Sequence, residues 1–261
     1  MSKCQGRSLP FSISQNFLTS SAIIRRLLKK TDITKTDTVL EIGAGKGHIT
    51  AALLEKSNQV IAVEIDPRLT EYLKNKFDRA ENLTLVQDDF LKTPLPTTPY
   101  KVFANIPFSR TTEIIRKLTS AKNPPSEAWL TMEKGAAKRF CGKPNDNLNS
   151  LLLKPFFNLE VVWHFCREDF HPAPRVDTVL LHISKKTAPD LPFAIRSQYT
   201  EFLNRSFKCG LVKPQGLFTQ KQIKTALKLA GLSPLEPSGD ILYIQWLCLF
   251  RCYMDFIIKK E

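Results

Sequence analysis

Tyr100-Lys101-Val102-Phe103-Ala104-Asn105-Ile106-Pro107-Phe108 is the stretch whose reading decides the fold. Its first five residues are apolar and β-prone, so they predict a buried strand. Pro107 lacks the N–H that a continuing ladder needs, which ends the strand near Asn105. In open α/β sheets, ligands gather outside the carboxyl ends of the strands. An amide, a proline and an aromatic at such an end suit a planar, amino-bearing base. The Asn105 side-chain oxygen and the Ile106 carbonyl would accept its amino hydrogens, and Phe108 would stack on its ring. The same four residues also fit a strand-ending turn with a core Phe, so the flanking sequence must decide.

Working outward, strand and helix alternate as in a parallel sheet. Thr38–Ile42, Gln59–Glu64, Leu83–Gln87 and Tyr100–Asn105 read as four strands, with Ala128–Met132 a fifth. Gly47–Lys56 is a run of good helix formers, and Asp66-Pro67 is an N-cap followed by proline at the first helical position. Glu160–Phe165 and Val176–Ile183 flank His171-Pro172-Ala173-Pro174 and read as an antiparallel pair at the sheet edge. Near Lys185–Pro189 the rhythm stops, which places a linker there. Helices follow over about Ser197–Cys209, Thr219–Ala230 and Ile241–Ile258. The expected organisation is a flexible basic lead over 1–13, a sheet domain over 14–184 and a helical domain over 190–261.

The chain has 261 residues, enough to bury a sizeable core, and carries 38 Lys and Arg against 25 acids, a net +13. Such an excess favours a polyanionic partner, nucleic acid or an anionic membrane face. No apolar run is long enough to span a bilayer and the first residues lack an apolar leader, so a cytoplasmic protein with no membrane partner is expected. The six cysteines are scattered without a Cys-x-x-Cys pair, which predicts reduced thiols and no metal centre. One basic face stands out before the sheet: Arg25, Arg26, Lys29 and Lys30 lie opposite Ile23, Ile24, Leu27 and Leu28. That face suits phosphate, or simply water.

The strand ends carry the chemistry. Glu41-Ile42-Gly43-Ala44-Gly45-Lys46-Gly47 follows the first strand, where glycines allow a tight turn and close approach of backbone to a ligand. Glu64 ends the second strand, where a carboxylate can take both hydroxyls of a ribose. NAD and S-adenosylmethionine both satisfy these two landmarks. Asp88-Asp89-Phe90 follows the third strand and offers an acceptor for an adenine amino group beside an apolar cover. Asn105-Ile106-Pro107-Phe108 after the fourth decides against NAD.

The series Ser14-Gln15-Asn16-Phe17-Leu18, Glu41 to Gly47, Glu64, Asp89, Asn105 to Phe108 and Phe170-x-Pro-x-Pro-x-Val-Asp177 resembles the Erm ribosomal RNA adenine N6-methyltransferases, relatives of the small-subunit rRNA adenine dimethyltransferases. The likeness runs from about residue 10 to residue 183. The run Met132 to Phe140 is closer to the Erm branch. The resemblance implies a Rossmann-like class I fold: a seven-stranded S-adenosylmethionine-dependent methyltransferase sheet with one edge strand antiparallel, then a small helical domain. It implies that Asn16, Leu18, Gly43, Gly45, Glu64, Asp89 and Asn105 bind the cofactor. It implies that Asn105, Ile106, Pro107 and Phe108, with Phe170 as a second aromatic, hold the target adenine. Asp88 departs from the family pattern, and Phe108 stands where relatives often have Tyr. The implied partner is 23S rRNA, unassembled or as precursor, met by a monomer. The alternatives are the small-subunit enzyme, a DNA adenine methyltransferase (no target-recognition domain is visible), and a non-catalytic RNA-binding or transcription factor on the same fold.

Overall fold

A computed structural model of the chain describes residues 16–212, 214–236 and 239–256. Ser14, Gln15 and the expected basic lead over residues 1–13 lie outside them. The described residues form two compact units, one made of those within 16–136 and 160–184 and one of those within 137–159 and 185–256. The sequence reading kept 137–159 with the sheet; the chain instead packs this stretch with the helices that follow residue 185.

The first unit begins with a short strand β1 (Phe17–Leu18) and helix α1 (Ser21–Lys29). The Ser20 side chain accepts the Ile23 N–H at the start of α1, which buries Ile24, Leu27 and Leu28. Then β2 (Thr38–Ile42), α2 (His48–Lys56), β3 (Gln59–Glu64), α3 (Pro67–Lys76) and β4 (Leu83–Gln87) alternate as expected. After β5 (Lys101–Asn105) come α4 (Thr111–Ser120) and β6 (Glu127–Glu133); of the next two helices, α5 (Lys134–Phe140) belongs mostly, and α6 (Leu148–Leu153) wholly, to the second unit. Then follow β7 (Phe157–His164), β8 (Phe170–His171) and β9 (Thr178–Lys185).

The large sheet has strand order β4-β3-β2-β5-β6-β9-β7. The pairs β3–β4, β2–β3, β2–β5 and β5–β6 are parallel, and β9 runs antiparallel to β6. The antiparallel strand is therefore not the outermost one expected from the sequence: β7 takes the edge and β9 is inserted inside it. The apolar run Val179–Leu181 accounts for this, since all three residues are at most 1% exposed. An edge position would leave such a strand half uncovered. The central strands read as continuous apolar runs because both faces are covered; Val39, Val60, Val102, Phe103 and Ala104 are wholly buried. Strand order reverses between β2 and β5, the place where doubly wound sheets open a crevice at their carboxyl ends.

The pairing of β1 with β8 is a second, two-stranded sheet, with Phe17 opposite His171 and Leu18 opposite Phe170. Nothing in the sequence pattern announces it, because two-residue strands carry no period.

In the second unit, α7 (Arg196–Cys209), α8 (Gln220–Leu229) and α9 (Tyr243–Phe256) complete the elements. Their core is aromatic: Phe202 packs within 6.4 Å of the rings of Phe218, Trp246, Phe250 and Tyr253. Among the described residues, no helix is long and apolar enough to cross a membrane.

Candidate functional site

Four consecutive parallel strands deliver their carboxyl ends to one trough. At the end of β2, Gly43, Gly45 and Gly47 take φ of 73°, 58° and 74°, a left-handed conformation that costs L side chains dearly. The Gly43 and Ala44 N–H groups donate to the Val63 carbonyl, which folds the turn back across β3. A Cβ on Gly45 would stand 2.7 Å from the Phe17 ring, so the N-terminal segment lies directly on the turn.

Glu64 is buried and accepts three backbone N–H bonds: from Gly45 at 2.8 Å on Oε2, and from Ile65 and Asp66 at 2.8 and 2.9 Å on Oε1. The Glu64 side chain thus ties the glycine turn to the start of α3. Deeper in the same strands, the Glu41 carboxyl is buried, with Oε2 accepting the Thr50 hydroxyl at 2.7 Å and Oε1 unpartnered. Burial pushes its pKa up to about 8, with the nearby charge of Glu64 adding to the rise and the Thr50 bond opposing it.

Beyond β4 the two adjacent acids separate in role. Asp88 spends both oxygens locally, on the Asp89 N–H at 2.7 Å and the Thr93 hydroxyl at 3.3 Å. Asp89 accepts the Leu91 N–H at 2.9 Å on Oδ1 and leaves Oδ2 without a partner among the described residues. Beyond β5, the Asn105 amide donates from Nδ2 to the Asn16 carbonyl at 2.6 Å. That bond fixes the amide's orientation and leaves Oδ1 as an acceptor.

Two cavities meet along this line of strand ends. One, of about 190 Å³, is bounded by Ile42, Gly43, Ile65, Asp89, Phe90 and Pro107 among others. Another, of about 100 Å³, is bounded by Asn16, Phe17, Gly43, Gly45, Glu64, Ile65 and Asn105 to Phe108. They share Gly43, Ile65 and Pro107, so together they make one elongated trough. It suits a nucleoside carrying a short polar chain: an apolar slot with one carboxylate oxygen at one end, amide and carbonyl acceptors at the other, and a glycine floor between.

Of the residues expected at the site, Asn16, Gly43, Gly45, Glu64, Asp89, Asn105, Ile106, Pro107 and Phe108 line the trough. Leu18 and Phe170 do not. Leu18 is 2% exposed and Phe170 4%, both in the core, where Phe170 meets the Phe165 ring edge-on at 5.1 Å. Their register as partners across β1 and β8 explains the burial, since the small sheet turns both side chains inward. Phe17 and Ile65 went unnoticed as wall residues. An apolar residue straight after the strand-ending Glu64 was the available signal for Ile65. Phe17 had none beyond its place between Asn16 and Leu18. The basic face of α1 is largely engaged: Arg25 pairs with Glu55 at 3.4 Å, while Arg26 and Lys30 sit 4.8 and 5.7 Å from the Trp163 ring centre. No cluster of side chains suited to a metal ion occurs among the described residues.

The sequence matches the family described as ribosomal RNA adenine dimethylase over residues 7–226. The rRNA adenine N-6-methyltransferase of Limosilactobacillus reuteri is 35% identical over 244 residues, which cover 93% of this chain and 96% of that protein. Among solved structures, the 23S rRNA methyltransferase ErmE is similar at a TM-score of 0.77 with 26% identity, over 91% of this chain and 99% of that one. A dimethyladenosine transferase from Plasmodium falciparum shares the fold at a TM-score of 0.68 with 24% identity, over 89% of this chain and 86% of that one.

Proposed function

Because the chain belongs to the ribosomal RNA adenine dimethylase family, we propose that it methylates N6 of one adenine in 23S rRNA and so confers resistance to macrolide, lincosamide and streptogramin B antibiotics. The cofactor is S-adenosylmethionine, whose sulfonium methyl is already a strong electrophile, so the protein's task is alignment. The observation that carries the reading is the pair of unspent acceptors at the two ends of one trough, Asp89 Oδ2 and Asn105 Oδ1. Asp89 would take the cofactor's adenine amino group, with Phe90 and Ile65 covering the ring. Glu64 would face the ribose, and Asn16, Gly43 and Gly45 the remainder.

At the other end, Asn105 Oδ1 and the Ile106 carbonyl would accept the two hydrogens of the target amino group. Drawing on both hydrogens opposes delocalisation of the nitrogen lone pair into the ring and aims it along the trough. Phe108 would stack on the target base. An adenine inside a duplex is out of reach, so the substrate is an unpaired or extruded nucleotide. The reading extends to a cytoplasmic monomer acting on rRNA before assembly. ErmE, similar over nearly its whole length, supports the 23S target.

Mapping N6-methyladenine in rRNA from cells expressing the chain, with Asn105→Ala as control, tests the reading. One modified adenine in 23S rRNA with raised macrolide tolerance is expected. Modification of two adjacent adenines in small-subunit rRNA instead would overturn the 23S assignment.

A further inference from the structure

Asp89 can offer Oδ2 to a ligand only while the turn after β4 keeps its shape. That turn is held from inside by the Asp89 carbonyl, which accepts the N–H groups of Lys92 and Thr93 at 2.8 and 3.0 Å and the Thr93 hydroxyl at 3.1 Å. The Phe90 and Thr93 carbonyls take no part in this pattern. Both accept instead from the ammonium of Lys117, which belongs to α4. The same Nζ stands 4.8 Å from the centre of the Phe90 ring, within the range of a cation–π contact.

This is not how a surface lysine is used. The side chain is partly buried, and its ammonium meets two backbone oxygens and a ring face rather than a carboxylate. Burial holds it below the ordinary lysine range, while the charges of Asp89 and Asp88 work against that fall. A neutral residue of similar length would avoid the desolvation but would leave both carbonyls without a donor. The place on α4 matters as much as the chemistry. Ile114, one turn before Lys117, borders the 190 Å³ cavity together with Asp89, Phe90 and Leu91. Helix α4 thus furnishes one wall of that cavity and, through Lys117, grips another.

We propose that Lys117 is the positioning residue of the adenine slot. By fixing the Phe90 and Thr93 carbonyls and the Phe90 ring, it sets Asp89 Oδ2 where that oxygen can meet the amino group of the cofactor's adenine. Lys117 does not itself border the trough and acts through the turn. The proposal rests on the reading that Asp89 takes this amino group, and adds what makes the bond selective. A fixed acceptor favours a ligand that brings an amino hydrogen and, left unpaired, disfavours one that does not. In a loose turn the carboxylate can swing to water, and the discrimination is lost.

Calorimetry on the full chain, with S-adenosylhomocysteine and with its analogue lacking the purine 6-amino group, separates this role from a merely structural one. The wild type should prefer the amino-bearing ligand about tenfold, the scale of one hydrogen bond left unmade. Lys117→Met keeps the stem and removes the charge and the donors. It should weaken the amino-bearing ligand about tenfold and the analogue by less than about twofold, so that the preference collapses. Lys117→Arg, which keeps charge and donors, should bring the preference back. Lys117→Gln, which keeps donors without the charge, gives the same reading should Lys117→Met not fold. An undiminished preference in the Met or Gln variant, whether both ligands bind more weakly or neither does, would make Lys117 a plain brace of the turn and overturn the proposal. Equal binding of the two ligands by the wild type would instead refute the reading of Asp89 as the adenine acceptor, and the proposal with it.

Discussion

The Asn105 side chain donates its Nδ2 hydrogen to the backbone carbonyl of Asn16 at 2.6 Å, across 89 positions of sequence. An amide at position 105 therefore does two things: it binds the N-terminal segment and presents Oδ1 to the trough. A carboxylate would keep the acceptor but set an oxygen against the Asn16 carbonyl. Asn105→Asp should lose most methyl transfer at neutral pH. The repulsion favours the protonated acid, which can again donate to Asn16, so activity of this variant should climb as pH falls. Comparing pH–rate profiles of variant and wild type between about pH 5 and 8 is the check. A variant profile parallel to wild type would show that the Asn16 bond is incidental. Asn105→Ala should retain most cofactor affinity while losing transfer.

The acids after β4 should part company in calorimetry. Asp89→Ala should weaken S-adenosylmethionine binding by about 1–3 kcal/mol, the scale of one lost or orphaned hydrogen bond. Asp88→Ala should leave binding nearly intact and lower stability by about 1–2 kcal/mol, since its two bonds hold the Asp89–Thr93 turn. Greater loss of cofactor binding in the Asp88 variant would reverse the assignment.

Much of this was legible in the sequence, for definable reasons. The βα rhythm, the Asp66-Pro67 cap and the acid, glycine and amide landmarks are local signals, and each lies where its own strand ends. What the sequence hid was relational. The insertion of β9 between β6 and β7 depends on which strand is buried on both faces. The short β1–β8 ladder turned Leu18 and Phe170 inward, although both belong to motifs that seemed to face the site. The Trp163 ring that takes up Arg26 and Lys30 lies more than 130 positions from them, beyond any helical period.

Phe108 borders the trough and is only partly buried, so its ring is available to a base. Phe108→Tyr should stay active, because no step needs a phenol. Phe108→Ala should cost roughly 1–3 kcal/mol of base stacking, seen as a fall in kcat/KM for RNA with cofactor affinity unchanged. Full activity of the Ala variant would remove the stacking role.

Glu41 ties the fold to pH. Its folded carboxyl titrates at about 8 against 4.5 for the free group, with burial the main cause. Between those values the folded chain keeps a proton that the unfolded chain has released. The stabilising contribution is thus complete below about pH 4.5 and drains away as pH rises toward 8, at up to about 1.4 kcal/mol per pH unit. Above about pH 8 both states are ionised and the slope vanishes. Glu41→Gln keeps an acceptor for the Thr50 hydroxyl and removes the titration. Its amide also brings hydrogens to a place where Oε1 has no partner, so the variant should start less stable than wild type at pH 5. The gap should then close steadily and can invert by pH 8, as wild type alone pays for ionisation. Denaturant unfolding of both proteins from pH 5 to pH 9 measures this directly. Curves that stay parallel across the range would mean that Glu41 is already ionised in the folded protein at pH 5, balanced by a counter-charge rather than by its proton.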